Sequence, residues 1–429
     1  MSTTPAAPGG TTKVVVVGQG YVGLPLAMRA AAVGFTVVGY ETDEGRMKHL
    51  SAGESYIEDV TSETLAAALA SGRYAASAEA DACAGFDVAV ITVPTPLRDG
   101  VPDLSYIGSA ARTLARHLRP GATVVLESTT YPGTTEELVA PILEEESGLV
   151  AGREFHLGYS PERIDPGNGE FDLVNTPKVV SGIDDASLAA ITAFYGSIVD
   201  RVVPVSGTRE AELAKLLENT FRHVNIALVN ELAMFAADLG INVWEAIDAA
   251  STKPFGYMRF TPGPGVGGHC LPIDPSYLSW RVKRALGQQF RFVELANDVN
   301  DHMPDYVARR LMVALNRQGK AMSHSRVLLL GLAYKADTGD AREAPAMIVA
   351  ERLLSLGAAV RAADPNVLEG RVDVRVVRVD ATPEEVELAD AVVVLTDHHD
   401  FDFEMIRSRA RYVLDTRGRL RAAANVELL

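Results

Sequence analysis

Four consecutive valines, Val14 to Val17, run straight into Gly18-Gln-Gly-Tyr-Val-Gly23, and a Leu- and Ala-rich stretch, Leu24 to Ala32, follows. A short β-branched run of this kind reads as a buried parallel strand. Thr36-Val-Val-Gly-Tyr40 reads as a second strand, closed by Glu41. Strand, glycine turn, helix and strand in that order open a doubly wound α/β sheet. Further strands are expected at Asp87–Thr92, Ala122–Leu126 and Glu154–Gly158. The pattern restarts at Ser325–Leu330 with Gly331-Leu-Ala-Tyr-Lys335, a helix Ala346–Ser355 ended by Gly357, and strands at Ala359–Ala362 and Asp390–Leu395. Between the two blocks, Arg209–Leu239 contains no Gly or Pro and carries Leu213, Leu217, Val224, Leu228 and Leu232 at helical spacing. Such a helix is about 45 Å long, more than a small domain is wide. It is expected to join two domains and to offer apolar surface to a second subunit. The predicted fold class is α/β, with two doubly wound Rossmann-like domains joined by a long central helix. The expected boundaries are a disordered tail over 1–12, then 13–206, 207–318 and 319–429, which suits a chain of 429 residues.

Glycines at the first turn let the backbone approach a pyrophosphate, and the helix N-terminus supplies N–H groups and partial positive charge. Gly18, Gly20 and Gly23 are the candidate residues, and Glu41 stands where a carboxylate would receive a ribose diol. A carboxylate there repels the extra phosphate of NADP and favours NAD. Asp43 competes for the same role. Val93-Pro-Thr-Pro96 ends a strand in this block, so Thr95 is expected on the nicotinamide side of the crevice.

Thr261-Pro-Gly-Pro-Gly-Val-Gly-Gly-His-Cys270 is too rich in Pro and Gly for regular structure and forces a tight loop, with Cys270 at the start of a helix. A thiol in that position has its thiolate stabilised. Asp274, four residues on, shares its helical face. Cys83 has no such setting and reads as structural or incidental. His269, Cys270 and Asp274 lack the spacing of a zinc site, and His398-His399 reads as a loop pair, so no metal is expected. Two cysteines indicate a reducing compartment, and with no targeting or membrane segment in view the cytoplasm is the expected location. The 56 acidic residues outnumber the 40 Lys and Arg and leave a net charge of −16, which argues against nucleic acid as the main partner.

Taken together, the motifs resemble the UDP-glucose/GDP-mannose dehydrogenase superfamily over nearly the whole chain. They occur in order: Gly18-Gln-Gly-Tyr-Val-Gly-Leu-Pro-Leu26, Glu127-Ser-Thr-Thr-Tyr-Pro-Gly-Thr134, Tyr159-Ser-Pro-Glu-Arg163, Glu212-Leu-Ala-Lys-Leu-Leu-Glu-Asn219, Gly267-Gly-His-Cys270 with Asp274, and Gly331-Leu-Ala-Tyr-Lys335 with Asp337 and Arg342. The resemblance implies an NAD-dependent, four-electron oxidation of a UDP-sugar C6 alcohol to the carboxylate by a dimer or higher homo-oligomer. Cys270 would form a thiohemiacetal and then a thioester. Lys215 and Asn219 would stabilise the oxyanion, and Asp274, Thr129 and Glu162 would handle protons and water. Cofactor contacts would extend to Tyr21, Val22, Arg46, Pro94, Thr95 and Thr129. Glu162, Arg163, Lys215, Asn219, Arg259, Gly267, Lys335 and Arg342 would meet the substrate, the last two at the UDP or sugar part. Gly265-Val-Gly-Gly-His-Cys270, Thr252-Lys-Pro-Phe-Gly256 and Glu162-Arg-Ile-Asp-Pro-Gly-Asn168 look like the UDP-N-acetylglucosamine 6-dehydrogenase branch, ahead of the N-acetylmannosamine branch. Arg259, Thr261 and Glu343-Ala344 depart from that branch near the expected sugar and diphosphate contacts. The competing expectations are a UDP-glucose or UDP-N-acetylmannosamine enzyme, a nucleotide-sugar-binding protein without catalysis, and a two-electron hydroxyacid dehydrogenase. The last would leave Cys270 without a task.

Overall fold

A computed structural model of the chain describes residues 12–57, 59–98, 100–165, 170–268, 270–367 and 373–429. Most of the expected tail, Asn168 and His269 therefore lie outside the described residues. Two compact units divide at Glu218/Asn219, inside the 31-residue helix Thr208–Asp238.

In the first unit the strands are β1 (Lys13–Val17), β2 (Thr36–Tyr40), β3 (Tyr74–Ser77), β4 (Val88–Ile91), a two-strand ribbon β5 (Leu97–Arg98) and β6 (Val101–Pro102), β7 (Thr123–Leu126), β8 (His156–Tyr159), β9 (Lys178–Gly182) and β10 (Val202–Pro204). Eight of them form one sheet in the order β10-β9-β8-β7-β4-β1-β2-β3. It is parallel except that β8 and β9 pair antiparallel. Both faces are covered by helices and loops, so alternate residues of one strand enter different cores. Val14 and Val16 join Leu24, Ala27 and Phe194 on one side. Val15 and Val17 join Ile107, Leu114 and Leu157 on the other. An unbroken valine run suits a strand buried on both faces.

The second unit repeats this arrangement with β11 (Arg326–Leu330), β12 (Ala359–Ala363), β13 (Val377–Arg378), β14 (Ala391–Val394), β15 (Val413–Asp415) and β16 (Val426–Leu428). Its sheet is parallel, in the order β13-β12-β11-β14-β15-β16. Val327 and Leu329 face one core, Leu328 and Leu330 the other. The expected helix is Pro345–Ser355, and Gly357 takes a φ of +83° just beyond its end. In each sheet the order reverses beside the first strand of the unit, between β1 and β4 and between β11 and β14. Ligand crevices open at the carboxyl ends of strands at such points.

On the long helix, Leu213, Leu217, Leu228 and Leu232, which their helical spacing places on an apolar face, are exposed, Leu217 at 64%. Phe221, Phe235 and Leu239 extend the exposed stripe. Most of the buried positions are small or polar, among them Ala211, Glu212, Lys215, Asn219, His223, Asn230 and Ala233, with Leu216 and Val229 the large apolar exceptions. Periodicity locates an apolar face but does not say what covers it.

Candidate active site

The glycine turn after β1 has the geometry a dinucleotide needs. Gly18 has a φ of +92°, and a Cβ there would meet the Thr92 carbonyl at 3.0 Å. A Cβ on Gly23 would fall 1.9 Å from the Gly18 oxygen, so only glycine lets the helix pack this close to the turn. A Cβ on Gly20 would meet nothing nearer than the Arg46 guanidinium at 3.8 Å, which leaves open space above the turn. Helix Gly23–Ala32 has Val22 at its N-cap and no side-chain cap. Leu24 and Leu26 N–H donate to the Gly20 and Val22 carbonyls at 3.1 and 3.3 Å, so the close backbone approach at the glycines and the positive end of the helix are what fit a dinucleotide pyrophosphate. Tyr21 is exposed beside them.

Glu41 is buried at the end of β2 and braces the turn. It accepts from the Gln19 N–H at 2.9 Å, from Thr42 and Asp43 N–H at 2.9 and 3.0 Å, and from Arg46 at 3.3 Å. Asp43 instead caps the next helix by accepting from the Arg46 N–H at 2.8 Å. On the β4 side, Thr92 Oγ1 donates to the Gly18 carbonyl at 2.8 Å. Thr95 is buried and Pro94 exposed in the loop beyond.

The loop after β7 holds Thr129 from both sides. Ser128 Oγ donates to the Val93 carbonyl at 2.8 Å, and Thr130 and Thr134 share a hydroxyl contact of 2.6 Å. Glu212 of the long helix accepts from Gly133 N–H, Thr135 N–H and Thr135 Oγ1 at 2.6, 2.9 and 2.7 Å. The Thr129 hydroxyl takes no partner among the described residues and is partly exposed.

Burial pushes Glu212 up to about 7 against the pull of its backbone donors. A carboxyl raised in the fold stabilises it in the protonated form, fully below about pH 4.5, and that contribution is lost as pH rises through 7. Glu212→Gln loses this dependence and turns an NH2 toward one of the three donors. The unfolding free energy of the variant, measured by denaturant titration, should lie closer to wild type at pH 8 than at pH 5, the gap changing by on the order of 3 kcal/mol. A gap independent of pH would refute this.

Lys215 is buried, and its Nζ donates to the Glu162 carbonyl. Arg163 is half-buried, paired with Glu218 at 2.7 Å and donating to the Pro177 carbonyl at 2.7 Å. Glu127, Lys178 and Tyr195 form a buried polar cluster next to Glu162. Lys178 and Tyr195 carry no motif signal in the sequence.

In the second unit, Asn219 Nδ2 donates to Asp274 Oδ2 at 2.5 Å, and Arg222 donates to Asn219 Oδ1. Asp274 lies one turn into helix Cys270–Leu286, which Cys270 opens. The Cys270 side chain is outside the description. The glycine loop before it is anchored by residues that sequence reading missed. Gly263 N–H donates to Asn230 Oδ1 at 2.9 Å, and Asn230 Nδ2 donates to Asn300 Oδ1 at 2.9 Å. Buried His223 contacts Asn297 at 2.7 Å and Asn300 at 3.4 Å; burial pushes its imidazole below the usual range. Their only sequence signal is polar residues on a helix otherwise patterned as amphipathic.

The glycine loop also packs on the loop after β11. Gly268 N–H donates to the Arg342 carbonyl at 3.2 Å. A Cβ on Gly267 would fall 2.7 Å from the Glu343 oxygen. That second loop carries Lys335 and Arg342, with Asp337 and Glu343 at φ of 60° and 47°. Leu332 and Ala333 N–H donate to Asp364 at 2.6 and 3.0 Å, and buried His398 contacts the same carboxylate at 3.0 Å. Burial would raise Asp364, but His398 and four backbone N–H groups hold it well below the carboxylate range. His398 and His399 are therefore not a bare loop pair: one is buried on Asp364, the other contacts Asp337. Arg342 presents one edge to Asp340, its Nε at 2.9 and 3.0 Å from the two oxygens. Arg259 is exposed and paired with Asp248 at 2.5 Å.

Cys83 is buried and unbridged, and burial pushes its thiol up to about 11, as expected of an inert cysteine. Among the described residues no His, Cys, Asp and Glu group is arranged to hold a metal, and no helix is long and apolar enough to cross a membrane.

Residues 12–199 match the NAD binding domain of the UDP-glucose/GDP-mannose dehydrogenase family, 209–302 its central domain and 328–422 its UDP binding domain. The chain is 37% identical over 411 residues to a UDP-N-acetyl-D-mannosamine dehydrogenase of Pyrococcus horikoshii, covering 95% of each. The solved structure of a UDP-D-ManNAc dehydrogenase from that organism matches with a TM-score of 0.88 at 35% identity, over 97% of this chain and 98% of that one. A UDP-glucose dehydrogenase from Pyrobaculum islandicum matches equally well in fold, TM-score 0.88 at 30% identity, over 99% and 98%.

Proposed function

Because the chain belongs to the UDP-glucose/GDP-mannose dehydrogenase family, we propose that it is an NAD-dependent 6-dehydrogenase acting on UDP-N-acetyl-D-mannosamine. That it is a nucleotide-sugar dehydrogenase with an NAD-binding domain follows from membership itself. The sugar is the finer step, and here the expectation of N-acetylglucosamine gives way. Relatives named for the mannosamine sugar support the alternative. The two sugars are C2 epimers, so their separation rests on a few contacts around one acetamido group. Local motifs near Cys270 are shared chemistry and carry little of that information. The fold does not discriminate either, since mannosamine and glucose enzymes match this chain equally in TM-score.

The observation that carries the reaction is the Asn219–Asp274 hydrogen bond, one helical turn from Cys270. Bound NAD supplies the hydride acceptor for both oxidations of C6. The Cys270 sulfur adds to the C6 aldehyde and later leaves from the thioester, tasks suited to a thiolate. Lys215 and Asn219 donate to the developing oxyanion. Asp274 orients Asn219 and is positioned in sequence to take the proton of the nucleophile. Glu162 and Thr129 handle the hydrolytic water. Lys335 and Arg342 supply cations for the diphosphate.

Purified protein is tested with UDP-N-acetylmannosamine, UDP-N-acetylglucosamine, UDP-N-acetylgalactosamine and UDP-glucose, with NADH release and product mass read together. Two NADH and a uronic acid from the mannosamine sugar are expected. Turnover confined to another sugar would remove the substrate assignment and leave the reaction class standing.

The same reading includes a homodimer. The exposed stripe Leu217, Phe221, Leu228, Leu232 and Phe235 runs along one helix, with Leu239 just past its end, and two-fold pairing lays such a stripe on its own copy. A contiguous apolar surface of this kind is seldom left to water. Leu228→Glu with Leu232→Glu should halve the mass measured by light scattering. An unchanged oligomer would place the interface elsewhere.

A further inference from the structure

A second concave site lies wholly within the second unit. It is a cavity of about 540 Å³, bounded by the end of the long helix, the start of helix Val243–Ser251, the later turns of helix Arg291–Arg317 and the edge strand β16. None of its lining belongs to the glycine loop before Cys270 or to the loop after β11, so it shares no residue with the site described above. A volume of this order suits a small-molecule ligand.

Charge sets the cavity apart. The chain carries a net charge of −16, yet the lining holds three arginines, Arg309, Arg310 and Arg317, against two acidic side chains, Asp238 and Glu427. Arg310 and Glu427 satisfy each other. Arg310 Nε donates to Glu427 Oε1 at 3.0 Å, its Nη1 to the Tyr306 hydroxyl at 3.0 Å and its Nη2 to the Leu428 carbonyl at 3.1 Å. The other Glu427 oxygen accepts from the Tyr412 hydroxyl at 2.8 Å. Arg309 and Arg317 differ. Both are exposed, and among the described residues neither guanidinium makes a hydrogen bond or an ion pair. With Val313 between them they are spaced by four, so all three rise along one face of the helix. The Arg309 guanidinium lies 5.3 Å from the centre of the Tyr306 ring, which orients it.

Unpaired arginines on an open helix face are ordinary. These two line a concavity in which one acidic group is already taken, so that Asp238 alone opposes them and cations are in excess. The first residues of helix Val243–Ser251 form another part of the wall, and the positive end of that helix adds to the field of the arginines. Ile241, Val243 and Leu428 supply apolar surface. The Trp244 indole is fixed in the same wall, its Nε1 donating to the Leu429 carbonyl at 3.2 Å.

We propose that this cavity is a second ligand site, which takes a small organic phosphate. Arg309 and Arg317 hold the phosphate, and the apolar surface of Ile241, Val243 and Leu428 receives the carbon body. A phosphate monoester, with a charge of about −2 and three acceptor oxygens, matches two guanidinium forks better than a single carboxylate does. The site depends neither on the sugar assignment nor on the reaction proposed above.

Trp280→Phe leaves Trp244 as the only tryptophan of the chain, so its fluorescence reports on the cavity. The full-length protein is first saturated with NAD and UDP, which fill the nucleotide sites. It is then titrated separately with glucose 6-phosphate, adenosine 5′-monophosphate and inorganic phosphate. A saturable change in the Trp244 signal is expected with at least one of the two organic phosphates, at lower concentration than with inorganic phosphate. In Arg309→Gln/Arg317→Gln that binding should weaken by about tenfold or more. Asp238→Asn should strengthen it by about two- to fivefold, the scale of one exposed charge. The double variant alters exposed side chains outside the reaction machinery, and its UDP-sugar turnover should equal wild type. No saturable change with either organic phosphate, or binding that is the same in the double variant, would overturn the site. Binding of inorganic phosphate alone would overturn the role of the apolar wall and with it the organic ligand.

Discussion

Cys270→Ala should bind NAD and UDP-sugar as wild type does and form uronic acid at a rate lower by roughly 10⁴-fold, the scale of losing a covalent nucleophile. The residue opens helix Cys270–Leu286, where the helix terminus favours a thiolate. Without the sulfur the aldehyde has no covalent partner, and no thioester forms for water to cleave. The readouts are the amount of acid and the NADH count per sugar. Acid at the wild-type rate would exclude the covalent route while leaving family and cofactor untouched. The contrast is Cys83→Ala, which removes a thiol raised by burial to about 11 and should leave kcat unchanged.

Lys215→Met should lower kcat by about 10² to 10³, the range for removing one oxyanion donor, with KM moving by less than about threefold. Its ammonium is buried and donates to the Glu162 carbonyl, so it is held by the fold and not solvated on the helix surface. The variant also takes away one of the two cations that keep Glu162 ionised. The Glu162 carboxyl is then protonated at higher pH, and the acid limb of the remaining activity should shift upward. Lys215→Arg is expected to stay slow, because a planar guanidinium does not replace a compact ammonium in a closed site. Full activity in Lys215→Met would return this residue to an ordinary buried charge.

Much of the fold was legible because its signals are local. β-Branched runs such as Val14–Val17 and Val392–Val394 specify strands buried on both faces. The Gly18, Gly20 and Gly23 spacing specifies a turn that no Cβ at Gly23 would permit. Cys270 and Asp274 lie on one face because four residues make about one helical turn. These features depend on neighbours within a few positions, and the sequence states them directly.

The remainder depended on partners far along the chain. Periodicity along Thr208–Asp238 marks an apolar stripe, but the tertiary structure buries the polar face that carries Glu212, Lys215, Asn219 and Asn230. Glu127 becomes more than a motif residue only when Lys178 and Tyr195, separated from it by 51 and 68 positions, close around it. Glu41 is likewise drawn into the glycine turn by the Gln19 N–H, 22 positions away. The sequence alone determined the two sheets and the nucleotide turn, since propensity and spacing act locally. Only the tertiary structure decided which charges are buried together, because burial and charge pairing depend on groups that the chain brings into contact from a distance.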